Sequence, residues 1–297
     1  MKALVLAETI DGQKALCAGA RTIAGIAGEV ALAVVKGAPE TGVADKAYDI
    51  ELPAGEPVEN AAAGVKAAYD AAAPDVVLVE PTPRNKILAG LLAAQLGTAV
   101  VSDITAIDGD TVTTMYFGGL AESKQKASAA KIYTVAATCF DAAEATGSDA
   151  VEVIAYTAPA KPLVLRGTKE VPAQGADLTK CDVVVGAGRG FAEEADLQMA
   201  RDLAAKVNGE VGCSRPLAEN VTWMPRNLYI GVSGLQLAPK AYIALGISGQ
   251  MQHMVGVTGA DTVIAVNKDA NAPIFKQCDY GIVGDIYKVI PALIEKL

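Results

Sequence analysis

The sequence predicts an α/β protein with two domains in tandem, each built on a parallel sheet, and three observations carry that expectation. Short Val-rich runs alternate with Ala-rich stretches of helical character, the mark of successive β-α-β units. Hydrophobic residues make up 52% of the chain and aromatic ones 5%, so the interior must be packed from Ala, Val, Ile and Leu. That suits strands covered by helices on both faces. At 297 residues the chain also exceeds the usual reach of one compact core.

Taken in order, Met1 to Ala7 carries one lysine and an apolar run that ends at Glu8. The run is too short for a signal peptide and lacks a cleavage site, so it reads as a buried first strand. Further strands are expected at Val30 to Val35, Asp75 to Glu80, Thr98 to Ser102 and Lys131 to Ala137. Asn60 to Ala73 reads as a helix stopped by Pro74, whose ring cannot continue it. Between Tyr156 and Thr179 periodicity is lost among Pro159, Pro162, Pro172, Gly167 and Gly175. A domain boundary is expected there, giving domains 1–176 and 177–297. A second alternating series follows, with strands at Asp182 to Gly186, Tyr242 to Ile247 and Thr262 to Asn267, and a helix at Ala192 to Asn208. Finally, Ile286, Val289, Ile290, Leu293, Ile294 and Leu297 fall on one helix face interrupted by Pro291. A kink is expected at the proline, or a helix whose regular part begins near it.

Composition excludes several functions. A net charge of −9 with no basic run argues against nucleic acid as the main partner. Cysteines at 17, 139, 181, 213 and 278 form no Cys-x-x-Cys and leave one over, which suggests neither a disulfide framework nor a zinc site and fits a reducing cytoplasm. No run reaches the length of a membrane span. With one histidine in the chain, a Ser-His-Asp site is nearly excluded, and no paired carboxylates or metal cluster stand out.

Several glycine-rich turns carry the candidate chemistry. Gly186-Ala-Gly-Arg-Gly190 follows a strand, but its third glycine comes one residue early for a dinucleotide fingerprint. A phosphate cradle and a tight strand-to-helix turn both fit it. Gly246-Ile-Ser-Gly249 follows an apolar strand and opens a short helix, where Ser248 is either a donor to an anion or an ordinary N-cap. His253 lies one turn further on, as a donor to a bound ring or a satisfied structural group. Asn267-Lys-Asp269 ends a strand at the ligand-binding edge of a parallel sheet, where turn chemistry selects the same residues. Asp285 either accepts from a ribose hydroxyl or caps the last helix. Gly212-Cys-Ser-Arg-Pro216 and Gly231-Val-Ser-Gly234 are bland by themselves.

In this order and spacing, VGAGRGF, VGCSRPLAEN, GVSG, AYIALGISGQMQHMVG, IAVNKDANAPIF and CDYGIVGDIYKVIPALIEKL resemble the electron transfer flavoprotein alpha subunit, nearly without gaps over residues 181 to 297. The first 175 residues are similar in pattern and length. The resemblance implies a Rossmann-like first domain that packs on a beta subunit and a second, FAD-binding one. It also implies roles for individual residues: Arg215 across the isoalloxazine face with Ser214 beside it, Ser233 at the flavin N5 region, and Gln252 and His253 at the ring and its C2 carbonyl. Ser248 and Gly249 would meet the ribityl and phosphate groups, and Asn267 and Asp285 the AMP end. Val232, Gly234, Gln250 and Asp269 complete the implied cofactor-binding set.

Ser233 stands where threonine is frequent in that family, Val232 where glutamine is, and Leu235 where lysine is; one extra residue lies near Trp223. These departures are similar to the branch associated with carnitine metabolism and nitrogen fixation, some of whose members bifurcate electrons. The implied function is a carrier that works between a flavin-dependent acyl-CoA dehydrogenase and ferredoxin, a quinone oxidoreductase or another acceptor. Two other functions remain open: an NAD-dependent oxidoreductase subunit using the GAGRG turn, and a scaffold that has lost its ligand.

Overall fold

The computed structural model describes residues 1–22, 28–117, 121–126, 131–140, 146–148, 150–169 and 175–297. The chain divides into two compact units, Met1–Lys169 and Glu170–Leu297, a few residues ahead of the expected boundary at 176.

The first unit holds strands β1 (Ala3–Leu6), β2 (Val30–Val35), β3 (Lys46–Ile50), β4 (Val76–Val79), β5 (Val100–Asp108), β6 (Thr111–Tyr116), β7 (Ala121–Lys126), β8 (Lys131–Val135) and β9 (Val151–Ile154). They form one nine-stranded sheet in the order β7-β6-β5-β8-β4-β1-β2-β3-β9. Helices α1 (Ile10–Thr22), α2 (Ala62–Ala72) and α3 (Pro83–Leu96) cover it. Every residue of β1, β2 and β4 is buried, which explains their unbroken apolar runs. Alternate side chains feed two cores: Val5, Leu32 and Leu78 pack with Leu16 and Cys17 of α1, while Leu4, Leu6, Val77 and Val79 pack with Val65 and Ala68 of α2 and Leu88 and Leu92 of α3.

The sheet departs from the all-parallel expectation at one edge, where β5, β6 and β7 form an antiparallel meander. β5 therefore runs on from Ser102 to Asp108. Asp108 pairs with Thr111 across Gly109 and Asp110, and Gly109 has φ +57°, the backbone that a tight two-residue hairpin turn demands. α3 is bounded by familiar signals: Thr82 accepts from the Asn85 N–H, Pro83 opens the helix, and Gly97 closes it at φ 64°.

The second unit is a five-stranded parallel sheet of β10 (Val183–Ala187), β11 (Glu210–Cys213), β12 (Ala241–Leu245), β13 (Val263–Asn267) and β14 (Tyr280–Val283), in the order β11-β10-β12-β13-β14. Helices α4 (Leu197–Lys206), α5 (Met251–Met254) and α6 (Ile286–Lys296) accompany it. The chain steps outward from β10 to β11, then returns to the other side of β10 as β12. That reversal creates a topological switch point at the carboxyl ends of β10 and β12, where open α/β sheets bind ligands. α6 starts at Ile286, with the Asp285 carboxylate accepting from the Tyr287 N–H at 3.1 Å, and runs through Pro291. Its regular part thus begins at the cap and not near the proline, as one expectation had it.

Candidate functional site

Two glycine turns meet at the switch point. The Gly188 N–H donates to the Leu245 carbonyl at 2.9 Å and the Gly190 N–H to the Gly246 carbonyl at 3.0 Å. A Cβ on Gly190 would stand 2.6 Å from Gly246 Cα, so the backbones touch where side chains would otherwise be. Regular helix resumes at Leu197, after a 3-10 turn at Glu194–Asp196. The Gly186–Gly190 run is therefore a tight turn that admits close backbone approach, and it does not sit on a helix N-terminus as a dinucleotide fingerprint would.

Beside these turns opens a cavity of about 710 Å³. Its wall is drawn from the ends of four strands: Arg189 and Gly190 after β10, Ser214, Arg215 and Pro216 after β11, Gly246 to Ser248 after β12, and Asn267 with Lys268 at the end of β13. Asn220, Tyr229, Val232, Gln250, Gln252 and His253 complete it. Of the residues expected from sequence, Ser214, Arg215, Val232, Ser248, Gln250, Gln252, His253 and Asn267 come together here, whereas Ser233, Gly234, Gly249, Asp269 and Asp285 do not line it. Arg189, Asn220, Tyr229 and Lys268 were missed as site residues. Three of them sit inside motifs already singled out, Arg189 in the GAGRG turn, Asn220 at the end of VGCSRPLAEN and Lys268 beside Asn267.

The residues outside the cavity wall have evident local work. Gly249, at φ +80°, lets the chain pass the Ile274 backbone, where a Cβ would come within 2.4 Å. Asp269 accepts from the Asn271 N–H at 2.9 Å and so shapes its own turn. Ser233 is exposed and shares a hydrogen bond of 3.3 Å with Tyr229, which does line the cavity. A Cβ on Gly234 would meet the Tyr229 carbonyl oxygen at 2.3 Å, so this glycine lets the Gly231 turn fold back onto Tyr229. Asp285 is the helix cap described above.

Within the wall, Asn267 donates to the Ile247 carbonyl at 2.9 Å and accepts from the Asp269 N–H at 3.0 Å, tying the β12 and β13 turns together. Arg215 reaches Glu219 through Nε at 2.6 Å, and the same carboxylate meets Arg226 at 3.3 Å. This pairing holds the Glu219 carboxyl below the usual range, chiefly through its hydrogen bond with Arg215. Arg189 lies over the Trp223 ring, 5.8 Å from its centroid.

His253 is 8% exposed and approaches the Tyr242 hydroxyl through Nε2 at 2.7 Å. Burial pushes its pKa down to about 4, against a smaller upward pull from the Ile230 backbone, so the ring is neutral near pH 7. Its Nδ1 is buried and makes no hydrogen bond of normal geometry among the described residues, although the Ile230 backbone pulls on the ring as an acceptor does.

Residues 4–161 match the electron transfer flavoprotein domain family, and residues 177–258 match the electron transfer flavoprotein FAD-binding domain of the alpha type. The chain is 45% identical over 246 residues to the "Putative electron transfer flavoprotein subunit YdiR" of Escherichia coli strain K12, covering 80% of this chain and 79% of that one. It is 41% identical over 225 residues to "Protein FixB" of Escherichia coli O1:K1, covering 73% and 72% of the two chains. The chain belongs to the electron transfer flavoprotein alpha family. Its second unit accordingly contains the FAD-binding domain of that family, matched over residues 177–258, and members of the family pair with a beta subunit.

The cavity fits an anionic dinucleotide. Arg189, Arg215 and Lys268 line it and no acidic side chain does among the described residues, in a chain whose net charge is −9. The Nδ1 of His253 adds a buried polar atom without a full hydrogen bond among the described residues, which in native structures calls for explanation. Among the described residues there is no group of three His, Cys, Asp or Glu side chains that could hold a metal ion, and no helix long and apolar enough to cross a membrane.

Proposed function

We propose that this electron transfer flavoprotein alpha chain holds FAD in the β10–β12 cavity. Working with a beta subunit, it carries electrons from a flavin-dependent dehydrogenase, of the acyl-CoA type, to ferredoxin, a quinone oxidoreductase or another acceptor. The observation that carries this reading is the convergence of Ser214, Arg215, Ser248, Gln252, His253 and Asn267 on one cationic cavity at the switch point. When bound, the flavin supplies the redox chemistry, because it exchanges electrons singly or in pairs.

The chain's own residues bind and tune. Lys268 and Arg189 suit the pyrophosphate, since both are cations beside strand-end turns. Ser248 offers an exposed hydroxyl at the same mouth. Arg215 is exposed and anchored to Glu219 next to its helical turn, a fixed cation that favours the more negative state of the ring. Val232 and Pro216 give apolar surface that limits water at one side of the cavity.

The test is a spectroelectrochemical titration of wild-type and Arg215→Ala heterodimers. Losing a contact to a charged group, about 1.5–3 kcal/mol in one redox state, corresponds to a fall of roughly 60 to 130 mV in the first one-electron potential. An unchanged potential removes Arg215 from the flavin. Identifying the nucleotides released on denaturation distinguishes a single-flavin carrier, which would yield FAD with AMP, from a bifurcating one, which would yield a second FAD.

A further inference from the structure

The hydroxyl of Tyr242 is the least expected polar group in the second unit. It sits on β12 with the whole residue 0% exposed, in what reads from sequence as an ordinary core strand. The neighbouring strand makes room for it: a Cβ on Gly186 would stand 2.0 Å from the Tyr242 oxygen. Glycine at that point of β10 therefore allows a phenol, and not just a phenyl ring, to reach across the sheet. The partner it reaches is His253 Nε2, at 2.7 Å.

Counting donors fixes the protons. Suppose Nε2 carried the hydrogen and donated to Tyr242. The phenol O–H would then be a buried donor without a partner among the described residues, and Nδ1 a buried acceptor without one. If the phenol donates to Nε2 instead, the proton of the neutral ring moves to Nδ1 and a single group is left over. Each unsatisfied buried polar group is costly, so the second arrangement is favoured. It makes Nδ1 an N–H donor on a residue that lines the cavity, with no full hydrogen bond of its own and only the Ile230 backbone pulling on the ring.

We propose that Tyr242 is a positioning residue that locks His253 in its Nδ1–H tautomer, presenting one neutral N–H donor to whatever acceptor occupies the cavity. Given the FAD reading above, on which this use of the donor rests, the acceptor is a carbonyl oxygen of the flavin. The lock itself is a property of the protein and exists with or without the cofactor. Burial of the ring, which keeps it neutral, fits the same arrangement.

The chain has one histidine, so a single pair of imidazole nitrogens reports the state. The experiment is a nitrogen-proton correlation spectrum of [15N]histidine-labelled chain in complex with its beta subunit, with the signals assigned by their loss in His253→Asn. At neutral pH the wild type should show a protonated, pyrrole-type Nδ1 and an unprotonated Nε2. Tyr242→Phe should mix the two tautomers and shift the Nε2 signal, and should weaken FAD binding by roughly two- to tenfold. A protonated Nε2 in the wild type overturns the proposal, and so does a Tyr242→Phe spectrum identical to the wild type. If Tyr242→Phe does not fold, the wild-type spectrum still decides. Adding FAD to cofactor-stripped complex separates the two readings: a lock without any Nδ1 response to FAD keeps the positioning role and removes the flavin contact.

Discussion

The two units solve the same topological problem in opposite ways. In the first, the chain runs outward from β1 through β2 and β3 and returns to the other side of β1 as β4, so its switch point lies between β1 and β4. That place is filled by the protein itself. Glu80, directly after β4 and 8% exposed, accepts from the backbone N–H groups of Glu8 at 2.6 Å and Thr9 at 3.0 Å, and from the Thr9 hydroxyl. Gly12 at the start of α1 makes room for the carboxylate, because a Cβ there would stand 2.4 Å from it. In the second unit the equivalent position is bounded by Gly188, Gly190 and Gly246, and among the described residues no side chain closes it. A built-in carboxylate satisfies the strand-end amides of one unit, while the other leaves a cationic cavity for an anion brought from outside. Topology offers a site in both; the residues at the strand ends decide whether it stays open.

Removing the plug should have the largest effect. Glu80→Ala removes the carboxylate that accepts three charge-assisted hydrogen bonds from the half-buried Glu8 and the exposed Thr9, and is expected to destabilise the chain by about 3–5 kcal/mol. Urea unfolding measures this, and FAD content per folded heterodimer should not change. A loss of FAD at full stability would mean that the first unit takes part in holding the cofactor.

The second unit should be acid-sensitive through its histidine. In the unfolded chain His253 takes a proton near pH 6.5, but in the folded chain only near 4. Between those values the unfolded state binds more protons, so stability should fall on acidification from 6.5 to 4 and be flat above, by up to about 3 kcal/mol. Chemical unfolding as a function of pH, wild type against His253→Gln, isolates that part of the slope.

Closing the glycine gap should cost less stability and more function. Gly190→Ala drives a methyl against the Gly246 backbone, an overpacking expected to cost about 1–3 kcal/mol while expelling FAD from the folded chain. Retention of FAD, read from the visible absorption of the purified complex, would place the cofactor elsewhere. The smallest effect is expected at Asp285→Ala, which removes a helix cap at about 1 kcal/mol. Thermal melts and FAD titrations together divide this structural role from the ribose contact that the family resemblance implies.

Much of this was legible in the sequence because both sheets rest on buried strands, whose unbroken apolar runs such as Val30 to Val35 are hard to mistake. The β6–β7 edge was not, since Thr111–Tyr116 and Ala121–Lys126 are largely polar and half exposed, with no apolar run to mark them. The Asp108-Gly109 pair was the available clue. At the site, the small-residue turn after β12 stood out by its spacing with both readings open, while the turn after β11 drew its role from the family resemblance alone. Arg189 was passed over because the GAGRG run was weighed for its glycines, as a phosphate cradle or a tight turn, and not for the cation it carries. Tyr242 was hidden for a different reason: in a β-strand a buried tyrosine and a buried phenylalanine look alike in pattern, and the hydroxyl acquires meaning only once His253 is brought beside it.

The central claim is that the cavity of the second unit holds the FAD. Its most direct test is to count nucleotides released by denaturing the wild-type heterodimer and one carrying Ser248→Trp, an exposed wall position where an indole fills the cavity without touching the core. The account predicts that the variant folds with wild-type stability and loses one equivalent of FAD per heterodimer. Full FAD in a folded Ser248→Trp heterodimer would contradict it.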